Sequence, residues 1–448
     1  MSVVSGDKVS AAPPRIPTAL PTPPSPFDDR PDEQFSYWRD LRKLAGRMPA
    51  TATEMIPLRD GDVALKARTD LIRSAKSSVL VSIYHINPDD SGHAFMDALI
   101  DRAKAGLPVV LKMDGMPQSV ASGMFDGDAK KRLEAKFAAL EAAGGTIVYN
   151  VIDHRPARSF GSGDHYKALV VDGGTVIFGG RNVGDYYFKT WTDFDMQMKG
   201  TLASQIAAEA IENVMKAAPL GLGTSDAHAE FMKKMDCITK DMAVARDKNG
   251  LAMSEAKRRG EAGHEGQLIA WDPQYDKGDN TITQALIKSI DTSTKEILLT
   301  SNYVNGTTEV RNALIAAAKR GVKVTVMTSS LAVSALSTMP YLNAERFYGD
   351  LMAAGITIRE TTRFEHGKMY LFDNKVAAFG SYNVEHPADN MLAEGMIFTK
   401  DPAMVKMISD NLHDTLEHRT KAYVKRNFWE NIAVFFTRIL AWFLEPFI

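Results

Sequence analysis

Two stretches of the chain carry His, Lys, Asp and Asn in one shared frame. The first holds His165, Lys167, Asp172 and Asn182; the second holds His366, Lys368, Asp373 and Asn383. In each copy Lys follows His by two residues, Asp follows Lys by five, and Asn follows Asp by ten. The copies lie 201 residues apart. A single His-x-Lys carries no signal, but its repetition with the whole downstream frame does. Two imidazoles, two ammonium groups and two amides gathered on one point suit phosphodiester chemistry. One His attacks phosphorus, and the other protonates the leaving oxygen and deprotonates the incoming one. The lysines and amides stabilise charge on the non-bridging oxygens. That chemistry calls for no metal and no cofactor.

The spacing dictates the elements that must position these groups. Ala168-Leu169-Val170-Val171 and Val176-Ile177-Phe178 are short apolar runs split by Asp172-Gly173-Gly174. Met369-Tyr370-Leu371-Phe372 and Val376-Ala377-Ala378-Phe379 are split by Asp373-Asn374-Lys375. Each reads as a buried strand, a tight turn and a second strand. His and Lys two apart on a strand share a face, and Asn returns to the same end of the sheet. Upstream, Leu65 to Ala75, Ala94 to Ala105 and Ala129 to Ala143 have helical patterning. They alternate with strand-like runs at Ser78–Tyr84, Pro108–Lys112 and Thr146–Tyr149. The second half repeats this order with helices over Ile282 to Asp291 and Val310 to Arg320. Its strand-like runs are Glu296–Ser301, Val322–Met327 and Ile356–Ile358. Two α/β units with mixed sheets flanked by helices follow from that alternation.

The two copies resemble the HxKxxxxDxxxxxxG(G/S)xN signatures of the phospholipase D superfamily. The continuation Asn182-Val183-Gly184-Asp185-Tyr186-Tyr187-Phe188 is similar to bacterial cardiolipin synthases and their relatives, and the likeness spans about residues 55 to 400. It implies two tandem units packed about a pseudo-twofold axis. It also implies a phosphohistidine on His165, with His366 as acid and base. Asp172 and Asp373 complete the catalytic signatures in a structural and electrostatic role. Asn182, Asn383, Gly180 and Ser381 are expected at the substrate phosphate. Asp195 and Glu394, which trail the two signatures, are expected to orient a His or Lys across the site. Where cardiolipin synthases often carry an Arg-Ser pair and an Asn after the second signature, this chain has Pro387-Ala388 and Leu392. The acceptor pocket is therefore rewritten, and water, glycerol or another alcohol stays open as acceptor.

Outside the signatures the chain is less specific. It has 448 residues, 45% apolar, with a net charge of −2. Such a balance lacks the basic field of most nucleic-acid binders, so no nucleic-acid partner is expected. The lone Cys237 excludes an intramolecular disulfide framework. Residues 1–33 are Pro-rich and read as a disordered leader without the apolar run of a signal peptide. The cytoplasm, with peripheral attachment to a bacterial inner membrane, is the expected location; delivery by a specialised secretion system stays open. Residues 34–200 and 267–405 are the expected units. Residues 201–266 are a connector, helical at Gln205–Ala217 and flexible from Arg246 to Gly266. Residues 406–448 form a basic segment and an amphipathic helix. In that helix Phe428, Trp429, Phe435, Phe436, Trp442 and Phe443 make a wide aromatic face suited to an anionic lipid surface. The alternative is packing on the protein or on a second subunit, and a homo-oligomer is compatible with it. His85 and His154 read as neighbours of the cleft at most.

Phosphatidyl transfer at a membrane surface, as in cardiolipin synthesis, is the expected activity. Donor and acceptor would be a glycerophospholipid and an alcohol, water or second phospholipid. Hydrolysis to phosphatidic acid, a nucleic-acid phosphodiesterase and a catalytically idle membrane scaffold are the alternatives.

Overall fold

Each signature folds as a hairpin, and the rest of its half buries that hairpin. The computed structural model describes residues 25–28, 36–150, 163–222, 225–261, 263–276, 278–334 and 338–425. The first half contributes β1 (Ala50–Leu58), β2 (Val79–Ser82), β3 (Val109–Asp114), β4 (Thr146–Asn150), β5 (Gly163–Asp164), β6 (Ala168–Val171), β7 (Thr175–Gly179) and β8 (Asp195–Gly200). The second contributes β9 (His264–Trp271), β10 (Glu296–Thr300), β11 (Lys323–Ser329), β12 (Thr357–Thr361), β13 (Met369–Phe372), β14 (Val376–Gly380), β15 (Leu392–Thr399) and β16 (Thr420–Ala422).

Across the sheet the order is β4-β3-β2-β6-β7-β8-β1, then β9-β15-β14-β13-β10-β11-β12-β16. From the central seam outward seven strands of each half match in order, β16 being an addition to the second, so the architecture is two α/β units about a pseudo-twofold axis. The seam is itself paired: β1 and β9 run antiparallel with Ala50 opposite Gly266 and Ala52 opposite His264. The outer strands β2, β3 and β4 are parallel. They are linked by helices Asp90–Lys104 and Gly127–Ala142, whose apolar stripes bury Phe95, Leu99, Leu133 and Leu140. Strands β2 and β6 are buried throughout, as expected for continuous apolar runs covered on both faces.

The hairpin turns are of the twisted kind that the sequence demands. Asp172 and Gly173 have φ of 51° and 65°, and Asp373 and Asn374 have φ of 51° and 56°. Two successive left-handed residues define a type I′ turn, whose twist matches the strands. A Cβ on Gly173 would lie 2.3 Å from the amide nitrogen of Met242, so the helix over that turn approaches at a distance only glycine permits.

Three expected boundaries move. The polar stretch after Arg246 is helical as far as Arg258, because helix Ser225–Arg258 runs through it. Its Phe231, Met235 and Ile238 are buried in a core to which both halves contribute, while lateral pairs such as Lys240–Asp236 lace its solvent face. The second unit does not end at residue 405. Helix Pro402–His418 buries Met404, Val405, Ile408 and Leu412, and β16 then pairs with β12. Finally, helix Tyr37–Ala45 precedes the first unit in sequence but packs on the second. Tyr37 Oη lies 2.7 Å from Ser289 Oγ, and Asp40 pairs with Lys288 at 2.8 Å.

Among the described residues no helix is long and apolar enough to cross a membrane. Most of the Pro-rich leader, His154 and the aromatic tail of residues 426–448 lie outside the described residues.

Candidate active site

The axis that relates the halves passes through a set of reciprocal contacts. The backbone N–H of His165 donates to Ala393 O at 2.9 Å, and that of His366 donates to Thr192 O at 2.7 Å. Each signature histidine is thus clamped to the strand entry of the other half. The side chains repeat the exchange. His165 Nδ1 lies 2.8 Å from Glu394 Oε1, and His366 Nδ1 lies 2.6 Å from Asp193 Oδ2. A carboxylate on Nδ1 fixes the tautomer and leaves Nε2 with its lone pair. Lys167 Nζ donates to His165 O, and Lys368 Nζ donates to His366 O, both at 2.6 Å. All four signature side chains are buried.

The orienting acid of the first half is Asp193, not Asp195. Asp195 is held by Arg181 at 2.7 Å and Arg68 at 3.0 Å, a buried ionic knot that braces the strand after Asn182. The signal for the correct residue was in the spacing, since Asp193 follows Asn182 by eleven residues, as Glu394 follows Asn383. Asp172 and Asp373 take the structural part of the role expected of them, without a bond to their lysines among the described residues. The Asp172 carboxylate accepts from the backbone N–H groups of Lys76, Ser77 and Ser78. Asp373 accepts from those of Thr294, Lys295 and Glu296. Both pin the hairpin turn to the entry of the neighbouring strand, at the opposite end of the sheet from the histidines.

The remaining signature residues line the centre. Asn182 Nδ2 donates to Tyr187 Oη at 3.1 Å, and Asn383 Nδ2 donates to Glu385 Oε1 at 2.6 Å. The two Oδ1 atoms are buried without a partner among the described residues. Ser381 Oγ meets Glu394 Oε2 and accepts from Gly395 N at 3.0 Å. At the equivalent place Gly180 has no such room, since a Cβ would lie 2.5 Å from Asp193 Oδ1. The longer Glu394 needs a hydroxyl to hold it; the shorter Asp193 needs the space. Sequence reasoning missed Glu385 and the aromatic surround. Tyr84 packs edge-on to His165 at 4.8 Å, while Tyr187 and Trp191 flank His366 at 5.1 and 5.7 Å. His85 does join the site, with Nε2 3.3 Å from Tyr187 Oη.

Several known proteins are similar to this chain. A family model described as "Cardiolipin synthase, PLD-like domain" matches residues 286–416. The chain is 23% identical over 412 residues to cardiolipin synthase 1 of Bacillus anthracis, covering 90% of this chain and 74% of that protein. It is 25% identical over 402 residues to cardiolipin synthase A of Pseudomonas putida, covering 87% and 74%. In fold it is similar to the phosphatidylserine synthase of Haemophilus influenzae Rd KW20. The TM-score is 0.67 at 14% identity, over 92% of this chain and all of that one. The chain is thus similar to cardiolipin synthases along most of its length, and to a PLD-like domain over residues 286–416.

Burial sets the electrostatics of this site. Desolvation, with Lys167 and Lys368 adding to it, pushes His165 well below the usual imidazole range. Desolvation and then Lys368 bring His366 down to about 3. Both rings are therefore neutral in the empty site. Desolvation also brings Lys167 down to about 7 against the pull of Glu394. Glu365, Glu385 and Glu394 are each raised by burial to about 7. Asp193 is the exception. Burial raises it, but His366, Arg181 and Lys368 outweigh that and hold its carboxyl below the usual carboxylate range. One orienting acid is thus firmly ionised and the other shares its proton near neutrality.

Proposed function

We propose that the chain transfers phosphatidyl groups between alcohols on glycerophospholipids, through a phosphohistidine on His165. The observation that supports this most is the reciprocal exchange across the axis. Two neutral imidazoles are each fixed at Nδ1 by the other half's acid, with two buried lysines alongside.

His165 Nε2 attacks phosphorus, a P–N bond forms, and the bond to the headgroup oxygen breaks. His366, as imidazolium, gives its Nε2 proton to the departing alkoxide. An acceptor hydroxyl then takes the vacated place. His366 removes its proton, the new P–O bond forms, and the P–N bond breaks to restore His165. The roles divide because the environments do. An imidazolium is favoured beside the ionised Asp193, and binding an anionic phosphodiester offsets the lysine charge that keeps both rings neutral when the site is empty. Lys167, Lys368 and the two signature amides stabilise charge as it builds on the non-bridging oxygens.

The similarity to cardiolipin synthases favours a second phospholipid's hydroxyl as acceptor, at the surface of an anionic membrane. Lipid mass spectrometry tests this on vesicles of phosphatidylglycerol and phosphatidylethanolamine. Cardiolipin is expected with the wild type and absent with His165→Ala or His366→Ala. Phosphatidic acid alone would make the enzyme a hydrolase. Unchanged lipids would overturn the lipid reading.

A further inference from the structure

The pseudo-twofold axis makes the halves equivalent at the reacting atoms, but not beside them. On the first half a cavity of about 430 Å³ opens against the catalytic pair. Its inner wall is Tyr84 and His85 on one side and Tyr187 and Trp191 on the other. Tyr84 packs on His165, Tyr187 and Trp191 pack on His366, and the His85 ring lies between Tyr84 and Tyr187. Its outer wall is helix Gly115–Gly123 and the residues that follow, through Val120, Ala121, Met124 and Phe125. Val120 and Met124 are more than half exposed at its lip, at 57% and 56%. On the second half the chain after β11 leads instead to helix Thr338–Glu345, whose Tyr341, Leu342 and Ala344 are buried in the core.

In-line substitution at phosphorus places the entering and leaving groups on the line of the two histidines. The alkoxy group that stays on phosphorus must then point away from that line. A cavity bordered by the neighbours of both histidines lies where that retained group has to go. Its walls are mainly apolar, as for a hydrocarbon ligand, with His85 and Asn87 as polar neighbours. The inner wall is braced by hydrogen bonds. Tyr187 Oη receives the Asn182 amide hydrogen and donates its own to His85 Nε2, which leaves the ring's proton on Nδ1. That Nδ1 is buried behind the cavity wall and has no partner among the described residues.

Resting on the phosphatidyl-transfer reading, we propose that this cavity is the subsite for the donor's diacylglycerol, seating the acyl chain next to the retained glycerol oxygen between His85 and helix Gly115–Gly123. The headgroup therefore never enters it, and specificity for acyl length resides in the first half alone.

The test uses the full chain and phosphatidylglycerols of increasing acyl length, all short enough to be monomeric in solution. For the wild type, kcat/KM should rise about twofold to fourfold with each added methylene until the cavity is filled. Val120→Trp, at the exposed lip, and Ala121→Trp, on the wall, should flatten that rise to less than half its slope. Val244→Trp, exposed on helix Ser225–Arg258, should keep it. A flat wild-type series, or an undiminished slope in both Trp variants, overturns the assignment. If the wild type turns over none of these lipids, the phosphatidyl-transfer reading itself fails, and this inference falls with it. That outcome is seen without any variant, whereas failure of the subsite alone appears only in the slopes.

Discussion

Asp193 and Glu394 occupy equivalent places and are not equivalent acids. Asp193 is ionised by His366, Arg181 and Lys368 after burial has opposed them, whereas Glu394 sits at about 7. An amide at position 193 would remove a full charge from the imidazole that must become cationic. An amide at 394 would remove part of a charge from the imidazole that attacks while neutral. Asp193→Asn should therefore lower kcat by about 10²–10⁴-fold, and Glu394→Gln by less, in steady-state assays near neutral pH. Equal losses would dissolve the division of roles. The buried carboxyls make a second prediction. In the unfolded chain Glu365, Glu385 and Glu394 ionise near 4.5, but in the empty site near 7. Between those values the folded state holds more protons, so this contribution to stability falls as pH rises through the window. Lys167, ordinarily near 10.5 and here about 7, acts in the reverse direction, with stability lost as pH falls from the first value to the second. The ligand-free site is thus most strained around neutrality. Glu385→Gln keeps an acceptor for Asn383 and removes one charge, so calorimetry should show its melting temperature gaining on wild type by a few degrees at about pH 8 but not at about pH 5.

The elements were legible where period and punctuation agreed. The paired apolar runs with Asp-Gly-Gly and Asp-Asn-Lys between them could be little other than hairpins, and the structure has hairpins there. The helices of both halves were also plain from their stripes, to within a few residues. The stretch after Arg246 misled because its composition is polar. What keeps it helical is a spaced apolar stripe upstream, Phe231, Met235 and Ile238, buried in the core that both halves share. A local polarity count cannot see this. The signature aspartates owe their structural part to geometry. Their spacing from Lys is fixed by the length of the strand, which puts them at the far end of it, not by any contact with the ammonium group. Asp373 accepts three backbone N–H bonds and a hydroxyl from Thr294. Asp373→Ala should accordingly cost about 2–3 kcal/mol in urea unfolding, the scale for hydrogen bonds to a charged group. Turnover per folded molecule should remain. A complete loss of activity in a fully folded Asp373→Ala protein would return the residue to the catalytic set.

At the scale of the whole molecule the sequence showed two copies and their likeness to one family, but not how the copies divide the labour. Sequence pairs each His with the Lys, Asp and Asn of its own copy; the fold pairs each His with the acid of the other. That exchange depends on the seam of β1 with β9, which joins the two sheets and sets Glu394 beside His165 and Asp193 beside His366. It depends also on helix Tyr37–Ala45, which leaves the first half to pack on the second and bury Tyr37, Trp38 and Leu41 there. Among the described residues, both histidines and both of their acids thus come from one chain. A mixture of His165→Ala and His366→Ala proteins tests this directly. Each chain would keep one imidazole, one of the two roles and an intact partner acid, and no rearrangement short of opening the seam could bring the two surviving histidines together. The mixture should show no more transfer than either variant alone, before and after co-refolding from denaturant. Recovery on mixing the folded proteins would mean that the catalytic pair forms between chains. Recovery only after co-refolding would mean that the seam can be exchanged between molecules, with β1 of one chain paired to β9 of another.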